Sequence, residues 1–173
     1  ESQARLSVQV FDIRASISTV LKKFEIVKSK LHKEGLMDDS LRRKLPKYPN
    51  SVGILTSVPS SALADMLRTA KERWPLTKLY IISIPVQGHN ESKLKIILRK
   101  LKENKLDLNV IVIARGGGSR EDLMLFDSEV IAREIATFPI PVITGIGHED
   151  DLTVSDLVSD HRSATPTAAI VDL

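Results

Sequence analysis

Two apolar runs, each ending in a polar cluster, constrain this chain more than any other feature. Asn109-Val110-Ile111-Val112-Ile113-Ala114 leads directly into Arg115-Gly116-Gly117-Gly118-Ser119. Pro141-Val142-Ile143-Thr144-Gly145-Ile146-Gly147 leads into His148-Glu149-Asp150-Asp151. A short apolar run that does not alternate with polar residues is the pattern of a strand covered on both faces, as in a parallel sheet. Open α/β sheets bind ligands outside the carboxyl ends of their strands. Both clusters are therefore expected at one sheet edge, where a guanidinium, an imidazole and several carboxylates would surround a phosphate.

The segments around these runs keep the same rhythm. Val52–Thr56 reads as a first strand, and Ser60–Arg73 as a helix with Leu63, Met66, Leu67 and Ala70 at three- and four-residue spacing, capped by Ser60 or Ser61. Lys78–Val86 reads as a second strand and 92–102 as a helix with Leu94, Ile97, Leu98 and Leu101 inward. A further helix is expected over 121–137, with Leu125, Val130, Ala132 and Ile135 in the core. The expected fold class is α/β: an open, mainly parallel sheet with helices on both faces, three layers, flavodoxin-like or Rossmann-like. Arg5–Ile13 alternates weakly, like one strand of another unit, and Ile17–His32 reads as an amphipathic helix. Leu36–Asn50 is polar and Pro-containing, a linker or arm. Leu152–Val158 looks helical, and Thr165-Pro166 is a helix start with Thr as cap.

Composition sets outer limits. The 173 residues can bury one core, and no apolar run approaches the roughly 18 residues that span a bilayer. Without cysteine there is no disulfide framework, zinc–thiolate site or thiol nucleophile, and a cytoplasmic location is expected. The start, Glu1-Ser2-Gln3, has neither Met nor a leader pattern and is expected to lie inside a longer chain. The net charge of +3 hides an asymmetry. Residues 1–100 carry 19 Lys/Arg against 9 Asp/Glu, or +10, and residues 101–173 carry 6 against 13, or −7. A basic half suits a polyanion and an acidic half suits acid–base or metal chemistry, although both also suit solvated helix faces.

Three glycines after a strand permit positive φ and close approach to a ligand. A helix start near Arg120 would favour an anion, and Arg115 offers a forked donor array to phosphate oxygens. The competing reading is a tight strand–helix turn with Arg115 in a surface ion pair. The spacing matches neither G-x-G-x-x-G nor a P-loop. Ser119 and Asp122 stand at capping-box spacing, which is the preferred role for Ser119. His148 is the best candidate for proton transfer near neutrality, and Asp151 would orient its ring or hold a cation. Thr56 and Ser57 close the first strand, where their hydroxyls would donate to phosphate. His161 reads as surface, and His32 and His89 carry no signal.

Taken in order, Val52-Gly53-Ile54-Leu55-Thr56-Ser57, Asp65, Arg115-Gly116-Gly117-Gly118-Ser119-Arg120-Glu121-Asp122-Leu123, Gly147-His148-Glu149-Asp150-Asp151 and Ser163-Ala164-Thr165-Pro166-Thr167-Ala168-Ala169 closely resemble the large-subunit family of bacterial exodeoxyribonuclease VII. The likeness runs from about Arg5 onward. It implies hydrolysis of single-stranded DNA from either end to 5′-phosphorylated oligonucleotides, in complex with several copies of a small helical subunit. It carries catalytic roles onto Asp65, Arg115, His148 and Asp151; the phosphate-binding candidates, read from the residues themselves, are Gly116, Gly117, Gly118, Ser119, Thr56 and Ser57. No cofactor is required by it; Mg²⁺ is left open, with Asp65 and Asp151 as its candidate ligands. It also implies four parts: residues 1–14 as a remnant strand of an N-terminal OB-fold, 15–50 as a connecting helix and linker, 51–164 as the catalytic domain, and 165–173 as the start of a C-terminal helical region. Arg120 and Met124 stand where the family more often has Leu and Trp, and Asp150 where Thr is common. Loss of that Trp removes an aromatic that could stack on a base.

The expected chemistry is in-line attack of water on a backbone phosphodiester, with Arg115 and the loop amides on the non-bridging oxygens. His148 would serve as base for the water or acid for the leaving 3′-oxygen. Two other classes compete: a non-catalytic nucleic-acid or phosphoryl-ligand module on a flavodoxin-like sheet, and a scaffold whose helices only recruit a partner. A pure polyanion binder gains nothing from carboxylates beside its ligand.

Overall fold

The computed structural model describes residues 2–88, 90–103 and 106–173, with side chains from Ser18 onward; His89 lies outside this set. Five parallel strands form one sheet: β1 (Ser51–Thr56), β2 (Lys78–Ser83), β3 (Val110–Arg115), β4 (Val142–Ile146) and β5 (His161–Arg162), in the order β2-β1-β3-β4-β5. The helices are α1 (Ser2–Lys33), α2 (Ser61–Arg73), α3 (Glu91–Glu103), α4 (Glu129–Ala136), α5 (Val154–Val158) and α6 (Pro166–Val171). Among the described residues, none of them is long and apolar enough to cross a membrane.

Alternation along each strand sends successive side chains to opposite faces. Val52, Ile54, Val110, Val112, Ala114 and Ile143 pack with Leu63, Met66 and Ala70 of α2 and Ala169 and Ile170 of α6. Leu55, Ile111, Ile113, Val142 and Ile146 meet Leu94 and Leu98 of α3, Ile131 and Ile135 of α4, and Phe24 and Leu31 of α1 on the other face. Both faces are thus covered, which is why the central strands read as unbroken apolar runs. Each fully buried Val or Ile of β3 contributes about 1.5–3 kcal/mol of burial.

Close packing at β4 depends on Gly145. A Cβ there would lie 2.7 Å from the Thr165 carbonyl oxygen and 3.1 Å from Pro166 Cα. Thr165 caps α6 through its hydroxyl, with Pro166 at the first turn, as its sequence indicates.

β2 stops at Ser83, short of the expected Val86, β5 has no counterpart in the sequence reading, and three further regions differ from it. Residues 2–33 form one α-helix, so the strand expected over 5–13 is helical instead. The apolar positions Leu6, Val10, Ile13, Ile17, Val20, Phe24, Val27 and Leu31 step by four and three throughout, a helical period that outweighs the weak alternation. The helix expected over 121–137 is divided. A 3₁₀ helix spans Glu121–Asp127, and α4 starts anew with Ser128 as cap, its hydroxyl accepting from Ile131 N. Asp127 is buried at this break, where Val154 N donates to its Oδ1 at 3.1 Å. That partner is remote in sequence, so local periodicity does not reveal it. Finally, Arg42 and Arg43 of the expected linker bind the body. Arg42 donates to the Leu157 carbonyl, and Arg43 to the Ile135 and Phe138 carbonyls and to Asp160.

Candidate active site

The strand order places a topological switch point between β1 and β3. From β1 the chain crosses to β2 through α2 on one face, whereas β3 leads to elements on the other. In doubly wound sheets ligands bind beside such a point, outside the carboxyl ends of the strands. β1 ends there with Thr56, β3 with Arg115, and β4, paired through Arg115 and Ile146, continues to Gly147 and His148.

Arg115 is nearly enclosed, its side chain 8% exposed. Nη2 lies 3.4 Å from Asp122 Oδ2, while Nη1 is buried without a hydrogen-bond partner. The glycine loop covers this guanidinium: a Cβ on Gly118 would fall 2.5 Å from both Nη atoms. Gly117 supports His148, since a Cβ there would fall 2.0 Å from its Cε1. Gly116 faces α2, with Ala62 Cβ 3.7 Å from an added Cβ. None of the three has positive φ. Their use is close approach, not the left-handed backbone that the sequence suggested as a further reason for glycine.

The Gly147 turn does use that backbone, with φ +73°. Its N–H donates to the Arg115 carbonyl at 2.9 Å, tying the two strand ends together. The turn closes on itself, His148 N donating to Asp151 Oδ2 (2.9 Å) and Asp151 N to the His148 carbonyl (3.0 Å). His148 Nδ1 stands 3.6 Å from the same Oδ2, too far for a hydrogen bond, and the imidazole is 71% exposed. Arg115, Gly117, Gly118, His148 and Asp151 are therefore one contiguous cluster.

Ser119 takes the capping role. Its N–H donates to Asp122 Oδ2 (3.2 Å) and its hydroxyl accepts from Asp122 N (3.4 Å). Hydrogen bonds from Ser119 and the charge of Arg115 lower the Asp122 pKa. The anion favoured at this helix start is thus already supplied by the protein, and the start belongs to a 3₁₀ helix, which corrects the expectation of a free helix end there. Thr56 is buried with its Oγ1 unpartnered, and Ser57 is half-buried beside it. Asp65 is not drawn into the cluster by any contact: it is 53% exposed and pairs with Arg68 at 3.4 Å, one turn beyond Ala62. Among the described residues no three His, Asp or Glu side chains gather as a metal site. The two candidate Mg²⁺ ligands are engaged otherwise in this structure, Asp65 by Arg68 and Asp151 by the His148 amide.

Sequence reasoning missed one support of the site and one anchor of the neighbouring 3₁₀ helix. Arg162 donates through Nη2 to the carbonyls of Glu149 (2.6 Å) and Asp151 (3.0 Å). Arg120 lies 2.6 Å from Asp127 Oδ2 and over the Phe24 ring. Burial raises the Asp127 pKa to about 6, against the opposing charge of Arg120. No spacing rule links position 162 to 149, or 120 to 24.

Strand order and cluster describe a doubly wound α/β protein with arginine, histidine and aspartate gathered at the carboxyl ends of β3 and β4. Residues 36–171 match the family model for exonuclease VII, large subunit, and the chain belongs to that family. It is 60% identical to the exodeoxyribonuclease 7 large subunit of Synechococcus sp. (strain CC9311), over 99% of this chain and 45% of the relative. Identity is 59% to that of Parasynechococcus marenigrum (strain WH8102), over the same shares. It is 48% to that of Campylobacter hominis, over 87% of this chain and 39% of the relative. The chain thus spans about 45% of the length of the first of these relatives.

Proposed function

We propose that this chain is the catalytic core of an exodeoxyribonuclease that hydrolyses phosphodiester bonds of single-stranded DNA from either end, leaving 5′-phosphorylated oligonucleotides. The observation that carries the reading is the buried, unpartnered Arg115 Nη1 beneath the glycine loop, in one cluster with His148. An unpaired donor on a buried cation is costly unless a ligand supplies its acceptor, and a phosphate oxygen does so with charge. The loop must lift from the guanidinium to admit it, a motion that three residues without side chains make sterically easy.

Water attacks phosphorus in line with the 3′-oxygen. The P–O3′ bond breaks, the new P–O bond leaves a 5′-phosphate, and the 3′-oxygen departs as a hydroxyl. Arg115 and the amides of Gly116, Gly117 and Gly118 stabilise the charge on the non-bridging oxygens, the largest contribution in such a site. Thr56 and Ser57 donate to the neighbouring phosphate. His148, exposed at the rim, transfers the proton, from the water or to the 3′-oxygen. Asp151 orients it through the turn they share, and Asp65, given its role by the family likeness, would turn from Arg68 to act on the attacking water. The full protein works in the bacterial cytoplasm with several copies of a small helical subunit, bound beyond α6.

The test is a time course of end-labelled single strands and duplexes with the full-length chain and its small subunit, with Mg²⁺ and with EDTA. Single-strand cleavage to 5′-phosphate ends supports the reading, and the EDTA arm reads the metal requirement. Retention of the strand without cleavage in either arm replaces it with a non-catalytic binding module.

A further inference from the structure

Arg162 closes β5 beside Thr144 of β4, outside the cluster described above, yet its guanidinium reaches that cluster's backbone. Its Nη2 bridges the carbonyls of Glu149 and Asp151. Those acceptors flank Asp150 in the turn that begins at His148 and closes with the Asp151 carboxylate on His148 N. Gly147 N to the Arg115 carbonyl ties the start of the turn to β3, and Arg162 ties its far side to β5.

Buried Asp156 lies in α5, the helix between the turn and β5. Its Oδ2 accepts from Thr153 N (2.8 Å) and Oγ1 (2.7 Å) in the cap of α5. Burial raises the Asp156 pKa, opposed first by hydrogen bonds from Thr144 and Thr153 and least by the Arg162 charge. Asp156 Oδ1 and Arg162 Nε are both buried without a hydrogen-bond partner. The guanidinium is therefore aimed at the turn through Nη2. Two hydrogen bonds in a half-exposed loop are a small share of the stability of such a sheet. A displacement of the reacting group by about 1 Å, by contrast, costs on the order of 100-fold in rate.

We propose that Arg162 is a positioning residue: by holding the Glu149 and Asp151 carbonyls it fixes the turn that carries His148 and Asp151, and so sets the rate of the chemical step rather than capture of the strand. The proposal rests on the role given to His148 above. The two are separated by assaying His148→Ala beside the Arg162 variants, in the full-length chain with its small subunit.

Arg162→Met keeps length and loses every donor; its kcat on single-stranded DNA is expected to fall about 100-fold with KM within about 3-fold. Arg162→Lys, whose ammonium can donate to both carbonyls, is expected to recover to within about 10-fold. Hydrogen exchange at the Asp151 amide should quicken in the Met variant and stay near wild type in the Lys variant. Arg162→Met with kcat within threefold of wild type, while His148→Ala is dead, overturns the proposal alone. Equal losses in the Met and Lys variants that follow a lowered melting temperature overturn it too, as the mark of a purely structural residue. Full activity in His148→Ala overturns the proton-transfer reading and this proposal with it.

Discussion

The imidazole of His148 rests on the α-carbon of Gly117, so that a Cβ at 117 would stand 2.0 Å from Cε1 and 2.7 Å from Nε2. The residue before it presses on no such ring, and the residue after it packs on Arg115. Adjacent glycines thus seat the two groups assigned to proton transfer and charge stabilisation.

Gly117→Ala displaces the ring, and because the imidazole is 71% exposed it can swing into solvent at little cost to the fold. The cleavage rate on single-stranded DNA should fall about 100-fold with the melting temperature near wild type. Unchanged cleavage would mean that the ring's seat on Gly117 plays no part in the reaction.

Gly145→Ala tests packing away from the chemistry. The added methyl meets backbone of α6, which cannot rotate aside as a side chain can. Overpacking of this kind costs about 1–3 kcal/mol. Urea unfolding should show that loss, and a wild-type midpoint would contradict the close α6–β4 contact.

The limits of sequence reading follow from the same geometry. β1, β3 and β4 were legible because helices cover both faces, leaving every position apolar up to the polar ends. The Ser119–Asp122 cap and the Thr165-Pro166 start were legible because their partners lie three residues apart or fewer. The break at Ser128 was not, because Asp127 turns inward for Val154 N, 27 residues on. Arg162 and Arg43 escaped notice for the same reason: each acts on carbonyls of distant segments, and a carbonyl leaves no trace in residue identity. Periodicity pointed the other way only at α1, where a step of three and four persists through the stretch that also alternates.

Asp127 gives the fold a pH dependence of definite sign. Its folded pKa of about 6 lies above the ordinary 3.8 because burial penalises the charge. The folded state then holds the proton more tightly than the unfolded one, so this group's contribution is full below about pH 4 and is lost as pH rises through 6. Relative to Asp127→Asn, the wild type should lose about 2–3 kcal/mol between pH 4 and 7, read from urea midpoints of both proteins across that window. A constant difference would show that Asp127 titrates normally.

Arg43 joins the segment before β1 to the far edge of the sheet. It pairs with Asp160 at 2.9 Å, a carboxylate only 1% exposed that also accepts from Val142 N. Arg43→Ala removes the guanidinium from that carboxylate, leaving it the backbone N–H groups of residues 43 and 142, and frees the Ile135 and Phe138 carbonyls, for an expected loss of about 2–3 kcal/mol. Thermal melts of the two proteins measure it, and an unshifted melt would show that the pair adds nothing.

Hydrolysis by the cluster at the carboxyl ends of β3 and β4, with His148 moving the proton, is the proposal on which the other assignments stand. A gel time course on 5′-labelled single-stranded DNA, with full-length wild type beside His148→Ala in the presence of the small subunit, tests it most directly. A positioned proton donor or acceptor is worth about 10²–10⁴-fold. The variant is therefore expected to bind the strand, keep the wild-type melting temperature and cut at less than about a hundredth of the rate. Cleavage at more than about a tenth of the wild-type rate would contradict the account.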